Sequence, residues 1–98
     1  MEMKRTREFK DWIDALKDGL GRARIQARID RLAAGNAGDH RNLQGGISEM
    51  RVDVGPGYRV YYTQRGSELI ILLVGGDKSS KAAQQRDIEK AKELARNL

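Results

Sequence analysis

"GPGYRVYY", residues 55–62, sits at the centre of a hairpin, and its reading decides the fold. Gly55-Pro56-Gly57 can form only a turn, because proline fixes its own φ and glycine reaches backbone angles other residues avoid. After the turn, Tyr58, Val60 and Tyr62 alternate with Arg59, Tyr61 and Thr63, the two-residue period of a strand. Before it, Met50, Val52 and Val54 share one face, while Glu49, Arg51 and Asp53 share the other. A loop of only Gly55 to Gly57 would set Val54 opposite Tyr58, then 52 with 60 and 50 with 62 on a core face. The other face would pair Asp53 with Arg59 and Arg51 with Tyr61, about 5 Å apart at Cβ. An outer face carrying arginines and a phenol raises the question of what it touches.

Downstream, Arg65-Gly66-Ser67 makes another turn, and Leu69 to Val74 is an unbroken apolar run. Such a run suits a central strand covered on both faces. Gly75-Gly76 ends it, and a last helix from about Gln84 places Ile88, Ala91, Ala95 and Leu98 on one side. Upstream, Phe9, Trp12, Ile13 and Leu16 have the spacing of an amphipathic helix over Glu8–Asp18. A second helix spans about Leu20 to Ala34 with Ile25, Ile29 and Leu32 inward, ended by Gly35, Asn36 and Gly38. The short join predicts a helical hairpin. Met1 to Arg5 is read as an edge strand. The order is β-α-α-β-β-β-α, an α+β fold with the helical hairpin and the C-terminal helix packed on a mainly antiparallel sheet.

At 98 residues the chain has room for one domain, 1–98, and one major core contact. No apolar run reaches spanning length and no secretory leader precedes the first helix, so membrane insertion and export are disfavoured. The absence of cysteine excludes disulfides and thiolate metal sites and suits a cytoplasmic location. No metal-ligand spacing, Walker loop or Ser-His-Asp set is present, so no cofactor is expected. A net charge of +5 points to a polyanion or an acidic partner.

Because the apolar strand runs antiparallel to the one bearing Arg59, its far end returns towards the Gly55–Gly57 turn and brings Lys78 there. Arg51, Arg59, Tyr61 and Lys78 then share one patch, and its cations suit a phosphate. Gly75-Gly76 would let backbone approach a ligand closely. The plainer alternative is a cross-strand ion pair between Arg59 and Asp53, with Tyr61 a good strand former. Arg24, Arg28 and Arg31, at i, i+4 and i+7, form a basic stripe that either contacts RNA phosphates or is a solvated helix face. Phe9 and Trp12 read as core, and His40 as a loop residue with no partner.

"GISEMRVDVGPGYRVYY", "LIILLVGGDKSS" and "QQRDIEKAKELA", in that order, resemble the RelE/HigB group of toxins from bacterial toxin–antitoxin modules. The likeness is greatest to the addiction module killer subgroup, and "FKDWIDALKDGLGRARIQARIDRLAAGNAGDHRNLQGG" extends it over nearly the whole chain. The resemblance implies a RelE-like fold, a helix-turn-helix antitoxin partner of the HigA type, and metal-independent cleavage of mRNA in the ribosomal A site. It also implies that Arg59 stabilises the phosphate, that Arg51 is a basic strand residue of the site and that Lys78 is the basic position after the last strand; Tyr61 is added from the ladder. Lys81-Ala82-Ala83 stands as an insertion between "GGDKSS" and the glutamines. Two other outcomes of the same scaffold are a ParE-like inhibitor of DNA gyrase and a binding module without toxicity. The nuclease reading fails if the cations stand apart, or if each is tied to a carboxylate.

Overall fold

The computed structural model describes every residue from Met1 to Leu98. The chain folds as β1 (Glu2–Arg5), α1 (Arg7–Ala15), α2 (Gly19–Ala33), β2 (His40–Asn42), β3 (Ser48–Val52), β4 (Tyr58–Arg65), β5 (Leu69–Asp77) and α3 (Lys81–Arg96). The strands form one sheet ordered β1-β5-β4-β3-β2, antiparallel except where β1 runs parallel to β5. This is the expected RelE-like α+β architecture with one short edge strand added, β2. Its "HRN" has no alternating apolar pattern to reveal it.

Side-chain caps set the helix starts. Thr6 Oγ1 accepts from the Phe9 N–H at 3.0 Å, Asp18 Oδ1 from Gly21 at 3.0 Å, and Ser80 Oγ from Ala83 at 3.0 Å. Because Ser80 caps α3, the inserted Lys81-Ala82-Ala83 forms its first turn, three residues before the expected start. The ladder between β4 and β5 skips Leu73, a bulge opposite Tyr61 and Tyr62, and the Thr6 hydroxyl donates to the Leu73 carbonyl. No helix is long and apolar enough to cross a membrane.

The sheet is covered on both faces. Phe9 and Ile13 of α1 and Ile25, Ile29 and Leu32 of α2 pack on Met50, Val52, Tyr58, Val60 and Tyr62. On the opposite face, Ala91 and Ala95 of α3 pack against Ile47, Tyr61, Ile71, Leu73 and Val74. The face that carries Arg59 and Tyr61 therefore meets α3. Small alanines leave room for the phenol ring, and Tyr61 is fully buried, which corrects its expected place on an open face.

The hairpin register also differs from the expected one. Val52 lies opposite Tyr58, Met50 opposite Val60, Arg51 opposite Arg59 and Glu49 opposite Tyr61. The Val54 N–H donates to the Val52 carbonyl at 3.1 Å and Gly57 to the Val54 carbonyl at 3.0 Å, so the chain turns before Gly55. Gly55 and Gly57 take φ of 55° and 84°, angles that disfavour any side chain. Asp53 is thereby released from the ladder and makes no pair with Arg59.

Candidate functional site

The three cations read from sequence meet. Arg51 at the end of β3, Arg59 at the start of β4 and Lys78 just past β5 line one cleft of about 270 Å³, with Asp39, Val52, Asp53, Gly57 and Tyr58. The topology brings Lys78 there: its N–H donates to the Gly57 carbonyl at 2.9 Å, tying the end of β5 to the turn. Lys78 is exposed and forms no ion pair, so its ammonium is free to meet a ligand.

The two arginines are not free. Directly opposed like charges repel, and each arginine takes its own carboxylate. Arg51 Nη2 and Nε bond Asp39 Oδ1 at 2.8 and 3.2 Å, a pair exposed enough to exchange with water or a ligand. Arg59 Nη1 donates to Glu49 Oε2 at 3.3 Å, beneath the cleft, with the Glu49 side chain at 0% exposure. Glu49 Oε1 also accepts from Arg41 Nε at 3.2 Å, across the β2–β3 ladder. The cations thus converge, with two paired and one open.

None of the nearby phenols suits proton abstraction near neutrality. The Tyr58 hydroxyl donates to Asp18 Oδ2 at 2.7 Å, and that bond, with burial, pushes its pKa up to about 12. Burial, then the Glu49 carboxylate, raise Tyr61 well above the ordinary phenol range, only partly offset by the Arg59 guanidinium; its hydroxyl has no well-formed hydrogen bond. The Tyr61 of the expected patch lies beneath the sheet and lines none of the cleft.

Gly75 and Gly76 serve packing rather than close approach of a ligand. A Cβ on Gly75 would stand inside the Trp12 ring, on the α1 side, and one on Gly76 would meet the Asp87 carboxylate, on the α3 side. Burial, followed by Asp77, raises the pKa of Asp87, which the neighbouring Arg86 partly offsets.

Within the basic stripe of α2, Arg28 differs from its neighbours. Its guanidinium donates to the carbonyls of Arg51 at 2.6 Å, Ala37 at 3.0 Å and Asp39 at 3.3 Å, pinning the 35–39 loop to β3. Arg28 is therefore committed to the fold, whereas Arg24 and Arg31 are exposed. All three line a second cleft of about 330 Å³ that shares Val52 and Asp53 with the first. His40 is an exposed β2 residue whose Nδ1 lies 2.8 Å from the Gly38 carbonyl. Sequence reading missed Asp39 and the bridging place of Glu49, which lies opposite Arg41 and Tyr61 in the ladder and reaches Arg59 from a neighbouring position.

Residues 11–96 match the family described as phage derived protein Gp49-like (DUF891), and the chain belongs to it. That family is of the RelE and addiction-module-killer toxin type, which bears out the resemblance at that level. The chain is also similar to an uncharacterized protein of Haemophilus influenzae, 46% identical over 98 residues that cover 100% of this chain and 96% of the relative.

Proposed function

We propose that this chain is the toxin of a type II toxin–antitoxin pair and cleaves messenger RNA on the ribosome, in the cytoplasm, without a metal or other cofactor. The observation that carries the reading is the meeting of Arg51 of β3, Arg59 of β4 and Lys78 just past β5 in one cleft. In the reaction, a ribose 2′-oxygen attacks the adjacent phosphorus and the bond to the 5′-oxygen breaks. The products are a cyclic phosphate and a 5′-hydroxyl, the proton lost at the 2′-oxygen being balanced by one gained at the 5′-oxygen. Preorganised cations stabilise the charge that gathers on the phosphoryl oxygens. Lys78 approaches it from solvent, Arg59 from the cleft floor, and Arg51 after exchanging Asp39 for phosphate. Raised tyrosine pKa values argue against a phenol as the proton acceptor, and in this reading the ribosome supplies that group. Arg24 and Arg31 contact neighbouring RNA phosphates.

The partner in this reading is a helix-turn-helix antitoxin of the HigA type, whose acidic segment covers the cleft by charge complementarity. A ParE-like gyrase inhibitor is the second reading, favoured by the carboxylates already held by Arg51 and Arg59. Induction followed by mapping of RNA 5′ ends, beside an assay of plasmid supercoiling, separates the two. New 5′ ends with normal supercoiling support the nuclease. Relaxed plasmid without new ends supports the gyrase inhibitor.

A further inference from the structure

Glu49 and Arg59 are the two charged residues buried in the chain, and Arg41 joins them from the surface. Glu49 is fully buried, yet it does not line the cleft; it holds Arg59, which does. A buried carboxylate is tolerated only when paired, and Glu49 has two guanidinium partners, one on each oxygen. Arg59 gives it a single nitrogen, Nη1, and its other guanidinium nitrogens form no hydrogen bond within the chain. One nitrogen of the guanidinium is anchored by Glu49, while Arg59, its side chain only 11% exposed, still lines the cleft. Arg41, half exposed, neutralises the second carboxylate oxygen, so Glu49 does not need a second bond from Arg59.

We infer that Glu49 is a positioning residue: with Arg41 as its second partner, it fixes the Arg59 guanidinium at the cleft floor in the orientation that meets phosphate. This inference rests on the nuclease reading for its effect on activity, but not for the fixed guanidinium. Glu49→Gln keeps the side-chain shape and removes the charge that orients Arg59. A group misplaced by about 1 Å can lose on the order of a hundredfold in rate, so a fall of that size in RNA cleavage is expected.

Side-chain NMR of isotope-labelled arginine provides a readout that a merely structural residue would not move. In the native protein, one arginine guanidinium, assigned to Arg59 by its loss in Arg59→Lys, should rotate slowly and exchange its protons slowly. In Glu49→Gln it should rotate freely while the methyl signals of Ile71 and Leu73 keep their positions. Free rotation of Arg59 in the native protein overturns the inference, and this holds even if Glu49→Gln does not fold. A folded Glu49→Gln with a fixed Arg59 or undiminished cleavage overturns it as well. If the native chain cleaves no RNA, the nuclease reading fails alone, and the fixed guanidinium is still decided by the spectra.

Discussion

The backbone N–H of Lys78 donates to the Gly57 carbonyl at 2.9 Å, so the residue after the last strand is fastened to the turn of the central hairpin. That bond draws the ends of three strands together and makes a cleft of otherwise distant cations. Lys78 then offers the cleanest test of the site, because its side chain is exposed and makes no ion pair. Lys78→Ala should lower RNA cleavage by about a hundredfold, the size seen when one preorganised donor is removed. Its unfolding free energy should stay within about 0.5 kcal/mol of the native value. Chemical denaturation beside the cleavage assay checks both halves.

Gly75→Ala should do the reverse. The added methyl has to displace the Trp12 ring, which fills the space over Gly75 and packs edge-on to Tyr58 at 6.2 Å. Forcing atoms into a packed region costs about 1–3 kcal/mol, and the thermal midpoint should fall accordingly. An unchanged midpoint would mean that Trp12 is not seated there.

The stripe on α2 should split. Arg28→Ala breaks bonds to three carbonyls and should cost about 2 kcal/mol, whereas Arg24→Ala and Arg31→Ala should each lie within about 0.5 kcal/mol. In the nuclease reading, the latter two weaken RNA binding without loss of stability. Equal stability losses at all three positions would contradict the division.

The tyrosines give a pH signature. The folded-state pKa values of Tyr58, Tyr61 and Tyr62 are all raised above the ordinary 10.0, that of Tyr58 to about 12 by its bond to Asp18. A raised value means that the fold favours the protonated phenol. The stabilisation is complete below the unfolded pKa and is lost as pH rises through the folded one. Stability should therefore be level up to about pH 9 and decline above about pH 10. In Tyr58→Phe the decline should be shallower. Ultraviolet titration of the native protein that shows all three phenols ionising near the ordinary value would refute this.

Much of the fold was legible because its signals are local. The stripe of Phe9, Ile13 and Leu16, the alternation around Tyr58 and the apolar run ending at Val74 each reveal one element. The meeting of Arg51, Arg59 and Lys78 could be read as well, since antiparallel strands return their ends to one side. The residues that hold those cations could not. Glu49 faces Tyr61 rather than another partner only because the chain turns before Gly55, and Asp39 reaches Arg51 from a loop pinned by Arg28. Tyr61 was misplaced because a two-residue period says which side chains share a face, not whether a helix covers that face. The pair Gly75-Gly76 carried the same ambiguity: a missing Cβ marks a close neighbour, and here the neighbours are Trp12 and Asp87.

The central claim is that cations from β3, β4 and the end of β5 jointly grip an RNA phosphate, and purified chain with ribosomes carrying a defined message tests it most directly. The native protein should cut the message, leaving 5′-hydroxyl ends, and Lys78→Ala, folded and equally abundant, should cut it about a hundredfold more slowly. An intact message with the native protein, or equal cutting by Lys78→Ala, would contradict the account.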